Sequence, residues 1–289
     1  MATFTRNLKR YMIGEDVRAV KDKLLELGYL SKVTHNMYGN DTYRAVIAFQ
    51  NENGLEADGI VGILTWNALM NGDKPEPSPA IEIPDHIGAT ARAAIGRALT
   101  TVSSIRQQIC LTALDYTIDP YNNPKSMRAF YIRGGNLYRK DLTLNVMTQA
   151  RLKSYFNRSE YEPYFDGGRR EEILREAAAS NYTIPGADCS GTIVGLWIHH
   201  GVQSSGFDAN ANKLYSSYCI QTTSPKPGDL AWRSGHIGLV VGGGYIVENV
   251  GGAYGLQLTK MNDRRCFNFV DKKIHKFSKW SAYGDPKKY

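Results

Sequence analysis

The sequence predicts an α+β protein in two parts: an N-terminal bundle of three helices, and a larger domain in which helices pack on an antiparallel sheet. Helical periodicity and an internal repeat occupy the first 70 residues, whereas short β-rich runs dominate only after residue 229. Between them, residues 71–85 carry alternate prolines, which support neither a helix nor a central strand. We therefore expect domains at 1–71 and 86–289, joined by a semi-rigid extended linker at 72–85.

The N-terminal bundle is predicted from the repeat. Segments 37–46 and 60–69 share the frame Gly-x-x-Thr-aromatic-x-Ala-aliphatic at an offset of 23 residues, and each predicts a glycine-led turn followed by a short amphipathic helix. Before them, apolar residues at helical spacing between Val17 and Leu27 predict a first helix, which Gly28 ends. Three aromatic side chains of this region are expected to lie mainly in its core: Tyr43, Phe49 and Trp66.

The larger domain begins with helical patterns and ends with strands. Residues 86–117 are rich in Ala, Ile and Leu and predict one long helical region, and a further helix is predicted at 169–180. From residue 229 the runs GDLAWR, HIGLVV, YIVENV and LQLTK, with the tail near KIHKFSKW, predict short antiparallel strands. Helices followed by a meander of strands are typical of the α+β class.

Composition and charge narrow the classes of function. The 289 residues carry a net charge of +7, which favours an anionic partner. Helix-turn-helix and RNA-binding signatures are absent from the sequence, so nucleic acid is not expected as a partner. No stretch reaches the ~18 apolar residues of a membrane span, and the N-terminal residues lack the apolar segment of a secretory signal. We therefore expect a protein that is made in the cytoplasm and has no membrane span.

Cysteine and histidine spacing argues against a disulfide framework and a metal site. The four cysteines are few and widely separated, and the sequence contains neither CxxC nor HExxH. His199 and His200 are adjacent, which places their rings on different sides of a helix or strand. We expect no metal and no cofactor.

Cys189 has the sequence context of a nucleophile. Pro185 and Gly186 interrupt any preceding helix, and CSGTIVGLWIHH can begin a new one with Asp188 or its neighbour as the N-cap. Cys189 would then lie in the first turn, where unpaired N–H groups and the helix dipole favour an anion and lower the pKa of a thiol. The same N–H groups can hold an oxyanion during acyl transfer.

A thiol nucleophile needs a histidine, and His236 is the best candidate among the six. It begins the apolar run HIGLVV directly after a short loop, as expected of a side chain at a strand end. His275, in the basic tail, is the rival candidate.

A third group should orient the imidazole of His236, and the hairpin VVGGGYIVENV offers two. A two-residue turn at 242–243 places Asn249 opposite His236. A three-residue loop at 242–244 pairs residue 238 with 248 and brings Glu248 to the face of the histidine. Sequence pattern alone leaves both registers open.

Residues 8–70 resemble the peptidoglycan-binding domain that is often fused to cell-wall hydrolases. The resemblance rests on GEDVRAVKDKLLELGYL, RAVIAFQNENGL and ADGIVGILTWNAL. It implies bacterial peptidoglycan, both stem peptide and glycan, as the partner. A wall-binding domain on a proline-rich tether would hold a second domain at high effective concentration near the wall.

The motifs DCSG, GDLAW and HIGLVVGGGYIVE, in that order, resemble the NlpC-type cell-wall peptidases, which are papain-like cysteine enzymes. Their third catalytic residue lies twelve positions after the histidine, which is Glu248 here. The family most often has histidine at that position, so glutamate is a departure. The resemblance implies a papain-like fold and a catalytic set of Cys189, His236 and Glu248.

The resemblance also implies substrate-binding residues. FYIRGGN fits the family's Tyr-x-x-Gly-Gly motif, so Tyr131 would bind the free amine end of a stem peptide, with Tyr182 as the competing tyrosine. Asp188 and Ser190 would shape the subsite for D-glutamate. About fifty residues separate this motif from DCSG, which indicates an insertion near 137–184. The insertion, with Tyr155, Tyr161, Tyr164 and Arg169, would either wall the cleft or pack on the core.

The function that follows is a peptidoglycan hydrolase that cleaves stem peptides between D-glutamate and the diamino acid. An amidase that cuts between muramic acid and L-alanine is the alternative with the same three residues, and a catalytically silent wall-binding protein is the alternative from another class. The lack of a visible signal indicates release in the manner of a phage endolysin, or another route of export. The oligomeric state is left open by the sequence.

Overall fold

The chain forms two compact units, Met1–Ile81 and Glu82–Tyr289, in a computed structural model. The structure describes residues 4–55, 57–72, 81–124, 126–157 and 184–289. Most of the predicted linker, the helix predicted at 169–180 and the larger part of the predicted insertion lie outside these residues. A helical N-terminal unit followed by a unit of mixed helix and sheet agrees with the predicted class.

The N-terminal unit is a bundle of three helices: α1 Glu15–Glu26, α2 Asn40–Glu52 and α3 Ile63–Asn71. Each repeat glycine, Gly39 and Gly62, is the N-cap of the helix that follows it. Gly28 has a φ of 82°, a left-handed conformation that favours glycine and stops α1. Phe49 and Trp66 are buried in the core with the apolar side chains of α1, whereas Tyr43 is only partly buried.

The larger unit contains five described helices: α4 Ala89–Leu99, α5 Ser104–Asp115, α6 Gln149–Phe156, α7 Cys189–His199 and α8 Ala211–Tyr218. The single helical region predicted over 86–117 is therefore wrong, since α4 and α5 are separate. At the break, the hydroxyls of Thr100 and Thr101 donate to the carbonyls of Arg97 and Ala98 at 2.8 and 2.7 Å. Such local bonds compete with the helical ladder and end α4.

The strands form one large sheet and two small ones. Their bounds are β1 Phe130–Tyr131, β2 Gly186–Ala187, β3 Cys219–Thr222, β4 Leu230–Arg233, β5 His236–Gly242, β6 Tyr245–Asn249, β7 Leu256–Lys260, β8 Arg265–Phe267, β9 Ile274–Lys276 and β10 Ala282–Pro286. The six-stranded sheet is antiparallel, with the order β3-β10-β4-β5-β6-β7. Strands β4 to β7 are the predicted meander, whereas β10 enters the sheet between β3 and β4 from the end of the chain.

Helix α7 is almost completely buried, and two of its glycines allow the backbone of another segment to approach it closely. A Cβ atom at Gly191 would lie 1.8 Å from the carbonyl oxygen of Gly135, and one at Gly195 would lie 2.6 Å from the amide of Tyr138. The amide of Leu137 donates to the carbonyl of Gly191 at 3.0 Å. The segment after β1 is thus held directly against the helix that begins at Cys189.

No helix within the described part of the chain is long and apolar enough to cross a membrane.

The packing at α7 predicts that Gly191→Ala destabilises the larger unit. The added methyl group meets backbone rather than a mobile side chain, so we expect a loss of about 1–3 kcal/mol in the free energy of unfolding. Urea denaturation followed by circular dichroism measures this loss. Gly206→Ala is the matched control, because a Cβ atom at Gly206 has no neighbour within 4 Å. Equal stability of the two variants would contradict the close packing.

Candidate active site

Asp188 fixes the start of α7 and thereby the position of Cys189. It is the N-cap, and its Oδ1 accepts from the amide of Gly191 at 2.7 Å and from the hydroxyl of Ser190 at 2.9 Å. Its Oδ2 accepts from the amide of Gly134 at 2.8 Å. The carboxylate therefore joins the helix to the turn after β1, and Cys189 becomes the first residue of the helix.

The sulfur of Cys189 lies against the hairpin that carries His236. Sγ is 4.0 Å from the carbonyl oxygen of Gly235 and accepts a hydrogen bond from the amide of Ile237, the residues on either side of the histidine. The thiol is buried, with 7% of the residue exposed. Cys189 and His236 line the same cleft, whose volume is about 360 Å³.

The electrostatic expectation for Cys189 is wrong in direction. Burial raises the pKa of the Cys189 thiol to about 12, and the neighbouring charge of Asp188 acts in the same direction. The amides of Ile237, Ser190 and Cys189 itself lower the pKa, but they do not outweigh burial. A thiol with its pKa raised in this way is neutral near pH 7, and it would need a base to become a thiolate.

His236 and Glu248 are in direct contact. Nε2 of His236 lies 2.8 Å from Oε2 of Glu248. In the β5–β6 hairpin Gly238 pairs with Glu248, and a bulge between residues 240 and 242 sets this register. The pairing of 238 with 248 is the one expected from the three-residue loop, and it places Glu248 one diagonal step from the histidine. The loop itself differs from both predictions, because Gly242 pairs with Tyr245 across a two-residue turn and the bulge supplies the shift in register.

Glu248 is a buried carboxylate with several donors. Only 1% of the residue is exposed, and besides His236 it accepts from Arg264 on both oxygens and from the Thr259 hydroxyl at 2.6 Å. Burial by itself raises the pKa of Glu248, but the hydrogen bonds from His236 and Arg264 outweigh it and hold the pKa at about 2. Glu248 is thus ionised and can only accept.

This charge state defines the role of each nitrogen of His236. Because Glu248 only accepts, Nε2 carries the proton of the neutral ring, and Nδ1 is left as an acceptor. Nδ1 makes no hydrogen bond to any residue that the structure describes. Trp280 stacks on the ring, with centroids 5.4 Å apart and planes at 10°. Glu248 thus holds the imidazole at its edge, and Trp280 holds it on its face.

Asn249, the other candidate from the sequence, faces away from His236. Its Nδ2 donates to the carbonyl of Ala187 at 2.7 Å and more weakly to that of Phe130 at 3.4 Å. The side chain thus ties β6 to β1 and β2, the small parallel pair directly before α7. Its place is structural.

Tyr131 lines the cleft together with Cys189 and His236. Asp188 and Ser190, by contrast, are engaged with each other at the helix start. Tyr182, the competing tyrosine, lies outside the described residues, as do Tyr161, Tyr164 and Arg169. Tyr155 is buried in the core, and its hydroxyl contacts the backbone of Arg133.

His275, the rival candidate, belongs to a separate group of hydrogen-bonded side chains. Nδ1 of His275 lies 2.9 Å from the hydroxyl of Tyr254, and its Nε2 lies 2.8 Å from Oδ2 of Asp271. Tyr254 lines the same cleft as Cys189. His199 instead stacks on Tyr138, with centroids 3.9 Å apart.

Sequence reasoning missed Arg264, Thr259 and Trp280, the side chains that support Glu248 and His236. One signal was present: a glutamate in an otherwise apolar strand needs a buried cation, and DRR follows the next strand. The choice between Arg264 and Arg265 could not be made without coordinates.

A larger pocket of about 530 Å³ adjoins the segment after Tyr131 but does not include Cys189. Four cationic side chains line it: Arg133, Arg139, Lys140 and Arg151. In the described part of the chain, no three His, Cys, Asp or Glu side chains converge as metal ligands would.

Comparison with known proteins identifies the N-terminal unit. Residues 13–69 match the family described as "Putative peptidoglycan binding domain", which supports peptidoglycan as a partner of the chain. Among solved structures, the chain is similar to the crystal structure of the Burkholderia AP3 phage endolysin at 22% identity. That similarity covers 55% of this chain and 52% of the endolysin, about half its length, with a TM-score of 0.24. A score this low does not indicate a shared fold.

The raised pKa of Cys189 predicts how its alkylation depends on pH. With the thiol pKa at about 12, the thiolate fraction rises about tenfold for each pH unit below that value. We therefore expect the rate of labelling by iodoacetamide, measured by mass spectrometry of the Cys189 peptide, to rise steadily with pH. Cys219 is the internal control, because its pKa is also raised to about 12 but it does not line the cleft. A labelling rate that is constant across acid and neutral pH would instead show a thiolate–imidazolium pair.

Proposed function

We propose that the larger unit is a cysteine peptidase of the NlpC type, with a papain-like fold, which cleaves the stem peptides of peptidoglycan between D-glutamate and the diamino acid. The observation that carries this proposal is the placement of Cys189, at the start of a buried helix, in one cleft with His236, whose ring is hydrogen-bonded to the buried Glu248. The peptidoglycan-binding match at residues 13–69 supports the bacterial cell wall as the place of action.

The proposed reaction begins with proton transfer. Nδ1 of His236 takes the proton from the thiol of Cys189 as Sγ attacks the peptide carbonyl carbon. The carbonyl oxygen gains the negative charge, and the amides of Cys189 and Ser190 at the start of α7 are backbone donors available to hold it. When the C–N bond breaks, His236 returns its proton to the departing amine.

Hydrolysis of the thioester completes the cycle. His236 takes a proton from water, the hydroxide attacks the acyl carbon, and the carboxylic acid product leaves. The C–S bond breaks, and His236 returns the proton to the sulfur of Cys189. The resting thiol is thus regenerated, and the sequence of steps needs no cofactor.

The charges around the cleft suit an acidic substrate. Arg233 lines the cleft and makes no ion pair with any described residue, whereas Arg264 is bound to Glu248. Stem peptides carry free carboxylates, and a charge-assisted bond to one of them would orient the peptide over Cys189. The four cations of the neighbouring pocket add to the positive field.

The mechanism predicts that Cys189→Ala abolishes cleavage without loss of wall binding. The release of soluble muropeptides from purified peptidoglycan should fall by about a thousandfold or more. Cosedimentation with insoluble wall should be unchanged, because the binding unit is separate. Cys219→Ala is the matched control and should keep its activity, since Cys219 is a buried thiol outside the cleft. Undiminished cleavage by Cys189→Ala would reject the thiol mechanism.

Mass spectrometry of the products of the unmodified protein tests which bond is cleaved. The proposed peptidase leaves L-alanyl-D-glutamate on the glycan and frees peptides that begin with the diamino acid. An amidase, the alternative that the same catalytic set would permit, frees intact stem peptides instead.

The charge of the cleft predicts that Arg233→Gln weakens substrate binding. We expect the KM for a stem peptide with free carboxylates to rise about tenfold while kcat changes little, because a charge-assisted contact is lost. Arg97→Gln is the control, since Arg97 is an exposed arginine of α4. The proposed role of Arg233 would be refuted by an unchanged KM, measured by chromatography of the products.

A further inference from the structure

Arg264 lines the cleft of the candidate active site, in the short connection between β7 and β8, although only 2% of the residue is exposed. Its Nε donates to Oε1 of Glu248 at 3.0 Å, and a terminal nitrogen donates to Oε2. The other terminal nitrogen donates to the carbonyl of Ser278. The guanidinium is thus fixed in its own plane at three points.

The same guanidinium also supports the face of the histidine. Its central carbon lies 4.2 Å from the centroid of the Trp280 ring, and Trp280 in turn stacks on His236. Arg264 therefore contacts both groups that hold the imidazole: Glu248 at its edge and Trp280 on its face.

We propose that Arg264 is a positioning residue, which holds Glu248 and Trp280 in place around His236 and balances the charge of Glu248. This inference rests on the proposed function, in which His236 is the base. A bare carboxylate next to an imidazole favours the imidazolium, which cannot accept the proton of a thiol. Paired with Arg264, Glu248 still accepts from Nε2, but its field at the ring is weaker. The pairing thus weakens the bias towards the imidazolium, the form that cannot act as the base.

The charged and titratable groups that face His236 come from several elements. They are Cys189 of α7, Glu248 of β6, Arg233 of β4, Arg264 itself, and the phenols of Tyr131 and Tyr254 in the cleft. Removal of Arg264 takes away the cation that is in contact with Glu248 and leaves the rest in place.

The test compares Arg264→Gln with Arg264→Lys. In Arg264→Gln, we expect the acid limb of the pH profile of kcat/KM to move up by about one pH unit, and kcat to fall at least about tenfold with KM within about twofold. Arg264→Lys keeps the charge but loses the planar fork. Its acid limb should stay close to that of the unmodified protein, and part of kcat should return. A merely structural arginine would lower activity without moving the acid limb, and that result would overturn the proposal.

Two controls keep the test decisive. Arg265→Gln alters the next arginine, which pairs with Asp263 at the surface, and should leave the profile unchanged. In a double-mutant cycle, Arg264→Gln should lose most of its effect on kcat/KM when Glu248 is already Gln, because the arginine acts largely through that carboxylate. Additive losses would overturn the proposal. Circular dichroism melting of each variant shows whether it folds. If Arg264→Gln does not fold, Arg264→Met replaces it in the cycle.

Failure of the proposed function can be recognised separately. The pH dependence of Cys189 alkylation reports on the thiol and His236 without any substrate. If Arg264→Gln accelerates alkylation at acid pH while Cys189→Ala still cleaves peptidoglycan, the positioning role stands and the thiol mechanism falls. If alkylation and kcat/KM both keep their pH dependence in Arg264→Gln, the positioning role falls.

Discussion

The buried negative charge of Glu248 is the constraint on which the arrangement of β5, β6 and β7 around His236 depends. An ionised carboxylate with 1% of its residue exposed costs several kcal/mol unless its oxygens are bound, and here both are. The donors come from β5, from β7 and from the chain after β7. A slip of one residue in the β5–β6 pairing would turn Glu248 to the opposite face of the sheet and leave the charge without these partners. The register of the strands and the position of the imidazole are therefore set by the same requirement.

The start of α7 is held by a second carboxylate with a different task. Asp188 accepts from the helix amide of Gly191 and from the turn amide of Gly134, and thereby connects the turn after β1 to the helix. Gly135 fits against Gly191 only because that helical residue lacks a side chain. Cys189 is thereby fixed between the capped turn and the hairpin tip at Gly235. The position of Cys189 therefore depends on close backbone packing, and that of His236 depends on a buried ion pair.

The local patterns of this sequence predict much of the fold, because they concern neighbours along the chain. The repeat glycines, the cap at Asp188 and the short apolar runs of β4 to β7 each act over a few residues. The choice between Glu248 and Asn249 needed the loop geometry of GGG, since a bulge near Val241 decides the pairing. Strand β10 was missed because its position depends on residues that are distant in the sequence. The buried Arg106 of α5 forms ion pairs with Asp229 and with Asp285 of β10, and these pairs hold the end of the chain at the sheet. Arg264 and Trp280 were missed for the same reason, as each meets its partner only after the strands have assembled.

The carboxylates of Glu248 and Asp188 and the thiol of Cys189 together restrict which groups can exchange a proton. Burial raises the pKa of Cys189 to about 12 and so favours the protonated thiol, whereas the pKa of Glu248 is held at about 2, so that Glu248 is ionised near pH 7. Asp188 is occupied by three donors at the helix start. In the proposed reaction His236 is then the group that carries protons between the sulfur, the leaving amine and water, and this role depends on the orientation of its ring. A ring that turned over would present the wrong nitrogen to Cys189. Glu248 at the edge of the ring and Trp280 on its face prevent this rotation. They therefore keep Nδ1 as the nitrogen that exchanges protons in the proposed reaction.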